Sequence, residues 1–167
     1  ILATGSRAKI PEIEGLREHG FLAPHDLFSR PSLPKSLVFL GGGPIACEMA
    51  QAFARFGTRV VILQSGAQLL PREESDLAAK LAEILRAEGI EIHLNARALR
   101  VETGGSQKKI VFRVGGEERS AQAGEIVLAT GKTPDFGGLN LEKIGVETEN
   151  GAVKTDETLR TSAPNVW

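Results

Sequence analysis

The chain has 167 residues, 41% apolar and 25% charged, a composition ordinary for one globular domain with a core of its own and one that gives no ground for disorder. A net charge of −1 without a dense lysine or arginine block argues against a nucleic-acid or anionic-membrane partner, and no apolar run approaches a membrane span. The single cysteine rules out an internal disulfide and fits a reducing, cytoplasmic setting.

The chain opens on Ile1-Leu2-Ala3-Thr4-Gly5, which reads as the end of a buried strand, and its one methionine is Met49. It closes on Pro164-Asn165-Val166-Trp167, where an apolar run begins, so the expectation is a middle piece of a longer protein. Residues 1–33 carry Pro11, Pro24 and Pro31, scattered glycines and one brief helical possibility at 25–28. They read as an extended connector lying over the domain.

Residues 36–64 organise the rest. An apolar strand at 37–40 passes into Gly41-Gly42-Gly43-Pro44-Ile45-Ala46, a helix-period segment follows as far as Gly57, and a second β-branched strand occupies 60–63. Gly41 suits the tight turn out of the strand, Gly43 lets backbone come close to a pyrophosphate, and Ala46 is small enough for helix to pack on strand. Pro44 suits the first helical position, and the helix start offers N–H groups and a positive dipole end to an anion. The glycine pattern alone is weak. Placed between a strand and a helix, with a second strand ending about 20 residues on, it reads as a dinucleotide fingerprint.

The spacing predicts that this helix buries Ile45, Met49, Ala52, Phe53 and Phe56, with Gly57 just past its end. A loop at 64–72 leads to a helix over 73–88 with an apolar face of Leu77, Leu81, Ile84 and Leu85, closed by Gly89. A third strand is expected at 90–94. Then the period changes to two: residues 109–114 and 117–121 flank Gly115-Gly116 as a hairpin, 125–129 reads as a buried strand, and 141–144 is a short helix candidate. The fold expected is α/β, a Rossmann-like three-layer domain with a parallel sheet and an antiparallel β-meander insert.

The wording of particular segments now carries a resemblance. Ala3-Thr4-Gly5-Ser6, the run GGGPIACEMAQAFARFG, LLPREE at 69–74, and Ala129-Thr130-Gly131-Lys132-Thr133-Pro134-Asp135 together resemble the pyridine-nucleotide domain of the flavoprotein disulfide reductases. This is the pyridine nucleotide-disulfide oxidoreductase family, and the similarity covers essentially the whole chain, nearest in wording to its mercuric reductase and dihydrolipoamide dehydrogenase branch. It implies that residues 34–131 form the NAD(P)-binding domain, and that 1–33 and 132–167 link it to an FAD domain. It implies hydride delivery from NAD(P)H to FAD and on to a redox cysteine pair, in an oxidoreductase that is a homodimer through a further domain. Cys47 stands alone and reads as a small buried side chain, so an isolated fragment is expected to bind nucleotide without turnover.

The same resemblance implies cofactor contacts at Gly41, Gly43, Pro44 and Ile45. It puts Glu48 near the nicotinamide carboxamide, Ala98 near the adenine, and Gly131 near the nicotinamide end. Pro44 stands where glutathione reductase has a gating tyrosine, so that gate is not expected here. At the end of the second strand an acidic residue would favour NAD, and arginines nearby would hold the 2′-phosphate of NADP. The chain has Gln64, able to bond a ribose hydroxyl, with Arg59 and Arg72 in reach; the balance leans to NAD.

Other chemistries find less support. His19, His25 and His93 are too far apart for a metal or a catalytic base, and no nucleophilic triad can be assembled. A second class of reading, a NAD-sensing Rossmann regulatory module without redox chemistry, would favour an acidic residue in place of Gln64 and has no need of the paired Ala-Thr-Gly segments. A short-chain dehydrogenase is disfavoured because the chain has no tyrosine.

Overall fold

The computed structural model describes residues 1–103 and 105–167 in full and residue 104 by its backbone. The chain forms two compact units, one of Ile1–Lys9 with Lys132–Trp167 and one of Ile10–Gly131. In chain order the elements are β1 (Ser6–Ala8), α1 (Leu16–His19), a 3₁₀ turn (Pro24–Ser29), β2 (Ser36–Leu40), α2 (Pro44–Arg55), β3 (Arg59–Leu63) and α3 (Ser75–Ala87). There follow β4 (Glu91–His93), β5 (Arg97–Gly104), β6 (Gln107–Val114), β7 (Glu117–Ala123), β8 (Glu125–Leu128), β9 (Lys132–Pro134), a second 3₁₀ turn (Leu141–Ile144), β10 (Thr148–Glu149) and β11 (Ala152–Val153).

In the larger unit β4-β3-β2-β8 is a parallel sheet and β5-β6-β7 an antiparallel one. Every residue of β2 is buried, as a strand covered on both faces must be. Its side chains alternate between two cores. Leu37 and Phe39, with Val60, Ile62 and Val127, meet the helices, while Val38 and Leu40, with Val61, Leu63, Ile126 and Leu128, meet Val101, Ile110 and Phe112 of the meander. The helix, sheet and meander layers are those expected from the sequence.

Both helix faces need correction. In α2 the buried residues are Ala46, Cys47, Ala50 and Phe53, whereas Ile45 is 37% and Phe56 66% exposed. In α3 they are Ala78, Ala82 and Leu85, whereas Leu77 is 66% and Ile84 44% exposed. Small side chains face the sheet because they let the helix backbone approach it closely, and the large ones beside that stripe turn out to the rim.

The meander has three strands, not the two of a hairpin. Gly115 and Gly116 make the expected turn with φ of 58° and 89°. Strand β5 is the addition, and its register shifts between Ala98 and Arg100. Residues 10–33 run against the sheet, with Leu22 bridged to Val127, Leu16 fully buried, and Arg30 and Lys108 both paired to Glu125 at 3.1 and 2.8 Å.

In the smaller unit β1 pairs antiparallel with β9, Arg7 meets Asp135 at 2.6 Å, and Leu141, Val146 and Ala163 form a minor core. Among the described residues, no helix is long and apolar enough to cross a membrane.

Candidate functional site

The C-terminal ends of β2 and β3 open onto a cavity of about 870 Å³ inside the larger unit, the end of an open α/β sheet where ligands gather. Its floor is the glycine turn. Gly41 has φ of 104°, and a Cβ there would stand 2.4 Å from the Ala129 carbonyl oxygen, so only glycine can leave β2 at that angle beside β8. A Cβ on Gly43 would meet nothing within 4 Å: the space over this backbone is open. Pro44 opens α2, and the N–H groups of Ile45 and Ala46 in its first turn have no carbonyl four residues back within the helix.

Gly42 is held from behind. Its N–H donates to Gln64 Oε1 at 3.1 Å, its carbonyl accepts from the Leu70 N–H at 2.8 Å, and a Cβ would fall 2.7 Å from Leu69 Cδ2. The other end of the Gln64 carboxamide donates to the Gln68 carbonyl at 3.1 Å. Through its backbone Gln64 donates its N–H to the His93 carbonyl at 2.9 Å, and its carbonyl accepts from the Ala96 N–H at 2.8 Å. One residue at the end of β3 thus fastens together the glycine turn, the loop after β3 and the loop after β4.

Of the residues singled out in the sequence, Gly41, Gly43, Pro44, Gln64, Ala98 and Gly131 line this cavity. Ile45 and Glu48 do not; both sit exposed on the first two turns of α2. Of the two arginines considered, Arg72 lines it, whereas Arg59 donates to the Gln122 carbonyl at 2.6 Å. Sequence reasoning missed Pro11, Glu12 and Ile13, Ser65, and Arg97. Arg97, beside Ala98, had a local signal, but nothing near residues 11–13 announces that the connector walls the cavity.

Cys47 lies behind the glycine turn, 6% exposed, with Sγ 3.7 Å from the Gly42 carbonyl oxygen. Burial, and secondarily the Glu48 carboxylate, push its thiol up to about 11, so it is protonated and inert at neutral pH. The histidines stand apart from the cavity: His19 beside Thr103, His25 beside Asp26, and His93 against Glu91 and the Phe112 ring. Among the described residues, no group of three or more His, Cys, Asp or Glu is placed to hold a metal ion.

Known proteins resemble this chain in sequence and in fold. A family model described as pyridine nucleotide-disulphide oxidoreductase matches residues 1–167. The chain is 37% identical to a dihydrolipoyl dehydrogenase of Bacillus subtilis, covering 100% of this chain and 36% of that protein. It is 36% identical to a mercuric reductase of Streptomyces lividans, covering 100% and 35%. The solved structure of the HOCl-induced flavoprotein disulfide reductase RclA from Escherichia coli superimposes with a TM-score of 0.88 at 33% identity, covering 99% of this chain and 38% of that one. The chain therefore spans little more than a third of the length of these relatives, which by name are oxidoreductases.

Proposed function

Because the chain belongs to the pyridine nucleotide-disulphide oxidoreductase family, we propose that its cavity binds a nicotinamide dinucleotide, NADH or NADPH, as one station of a longer flavoprotein. A bound nicotinamide would supply hydride for FAD held elsewhere in that protein, whose electrons would pass on to a redox disulfide. The observation that carries the reading is the open backbone at Gly43 under the bare first turn of α2, facing a cavity of about 870 Å³. A diphosphate laid there would accept from helix N–H groups at the positive end of the helix dipole, over a backbone where even a Cβ on Gly43 would meet nothing within 4 Å.

The chain's own work in this scheme is binding and orientation. Gly41 sets the turn, Gly43 and Pro44 admit the diphosphate, and the Ile45 N–H donates to it. Gln64 and Ala98 belong to the adenosine wall and Gly131 to the nicotinamide end, while Glu48, exposed on α2 outside the cavity lining, belongs to a nicotinamide carboxamide that extends past the lining. Residues 34–131 are the main nucleotide-binding part, with Pro11, Glu12 and Ile13 adding to the cavity wall, and 1–33 and 132–167 are its links to an FAD domain. The longer protein is a cytoplasmic homodimer whose dimerisation domain and terminal substrate site lie outside this segment.

Titration of the purified chain with NADH and NADPH, followed by calorimetry, tests the reading: saturable binding of at least one is expected, and none for either overturns it. Mixing the chain with FAD, NADH and a disulfide or dye acceptor should give no catalysed disulfide reduction. Turnover there would show that the redox centre is not elsewhere.

A further inference from the structure

We propose that the dinucleotide this cavity selects is the 2′-phosphorylated one, with Arg72 and Arg97 reading the phosphate and Gln64 turned inward as a neutral positioning residue. This inference rests on the reading of the cavity as a dinucleotide site. The sequence leaned to NAD because Gln64 could reach a ribose hydroxyl. In the structure both ends of its carboxamide are engaged within the protein, the oxygen on the Gly42 N–H and the nitrogen on the Gln68 carbonyl, and its side chain is buried. No carboxylate stands at the end of β3 to repel a phosphate.

The groups left at that end are cationic. Arg72 and Arg97 line the cavity, both are exposed, and among the described residues neither side chain has a partner. Their backbones are anchored around Gln64. Arg97 follows Ala96, whose N–H is held by the Gln64 carbonyl, and Arg72 lies between two carbonyls, those of Leu70 and Glu73, that accept from Gln68 Nε2 at 3.3 and 3.0 Å. The carboxylates of the lining are Glu12, on the connector, and Glu73, next to Arg72. Two unpaired guanidiniums beside a neutral strand end suit a dianionic phosphate monoester, which a planar fork of donors grips in two-bond fashion.

The test is calorimetric titration of the chain with NADPH and with NADH, repeated on the Arg72→Ala, Arg97→Ala double variant. NADPH is expected to bind at least roughly tenfold more tightly, and the double variant to bring the ratio of the two affinities to about one. Raising the salt should shrink the ratio for the native chain. NADH binding equally or better would overturn this inference and leave the site reading intact. Binding of neither nucleotide would overturn both. A ratio that survives loss of both arginines would overturn the assignment of the two side chains.

Discussion

The Gly42 N–H donates to Gln64 Oε1 at 3.1 Å across 22 residues of sequence, inside the protein and at the edge of the cavity. This bond ties the glycine turn to the loop after β3, since the same carboxamide also donates to the Gln68 carbonyl at 3.1 Å. Replacing Gln64 with leucine leaves a buried N–H and a carbonyl without partners. Chemical denaturation of Gln64→Leu should show a loss of about 1–3 kcal/mol, with weaker binding of NADH and NADPH alike. A variant as stable as the native chain would mean that water replaces the carboxamide.

Neighbouring glycines should respond in opposite ways. Gly41→Ala forces a Cβ into the Ala129 carbonyl at a φ of 104°, so a loss of roughly 1–3 kcal/mol or more is expected in the unfolding free energy. Gly43→Leu enters open space and should leave the denaturation midpoint nearly unchanged, yet weaken dinucleotide binding at least roughly tenfold by filling the approach to the helix N-terminus. Calorimetry and denaturation on the same two variants separate the roles.

The close approach of helix to sheet is also measurable. Ala50 is fully buried against the sheet, so Ala50→Leu should cost about 1–3 kcal/mol through overpacking. Leu77→Ala removes a larger side chain from an exposed position and should stay within about 0.5 kcal/mol of the native value. Denaturation curves in the reverse order would restore the leucine face expected from the sequence.

Cys47 gives the pH dependence. Its thiol is raised from 9.0 to about 11 in the folded chain, so above pH 9 the unfolded chain ionises it first and the folded state holds the extra proton. Stability contributed by this group is therefore complete below pH 9 and falls as pH rises towards 11, by up to about 2–3 kcal/mol. Thermal unfolding of the native chain and of Cys47→Ala between pH 8 and 11 should diverge in that window, the native falling faster. A thiol reagent should leave Cys47 unmodified at pH 8.

Local pattern was enough for much of this protein. The glycines at 41 and 43, Pro44 and the apolar runs on either side fix a strand, turn, helix and strand in that order, because each rests on backbone freedom or on a period that neighbours in sequence can set. The Gly115-Gly116 turn is legible for the same reason. Other features depend on partners far along the chain. When alanines count as apolar, α2 and α3 each carry two adjacent stripes, and only the approach of the sheet decides that Ala46-Ala50-Phe53 and Ala78-Ala82-Leu85 go inside. Strand β5 alternates weakly by itself and is made a strand by its pairing with β6. The inward turn of Gln64, the loan of residues 11–13 to the cavity wall, and the presence of both Arg72 and Arg97 in one cavity lining come from contacts that close only when the sheet has formed, since no periodicity within a segment encodes where a side chain will find its hydrogen-bond partner.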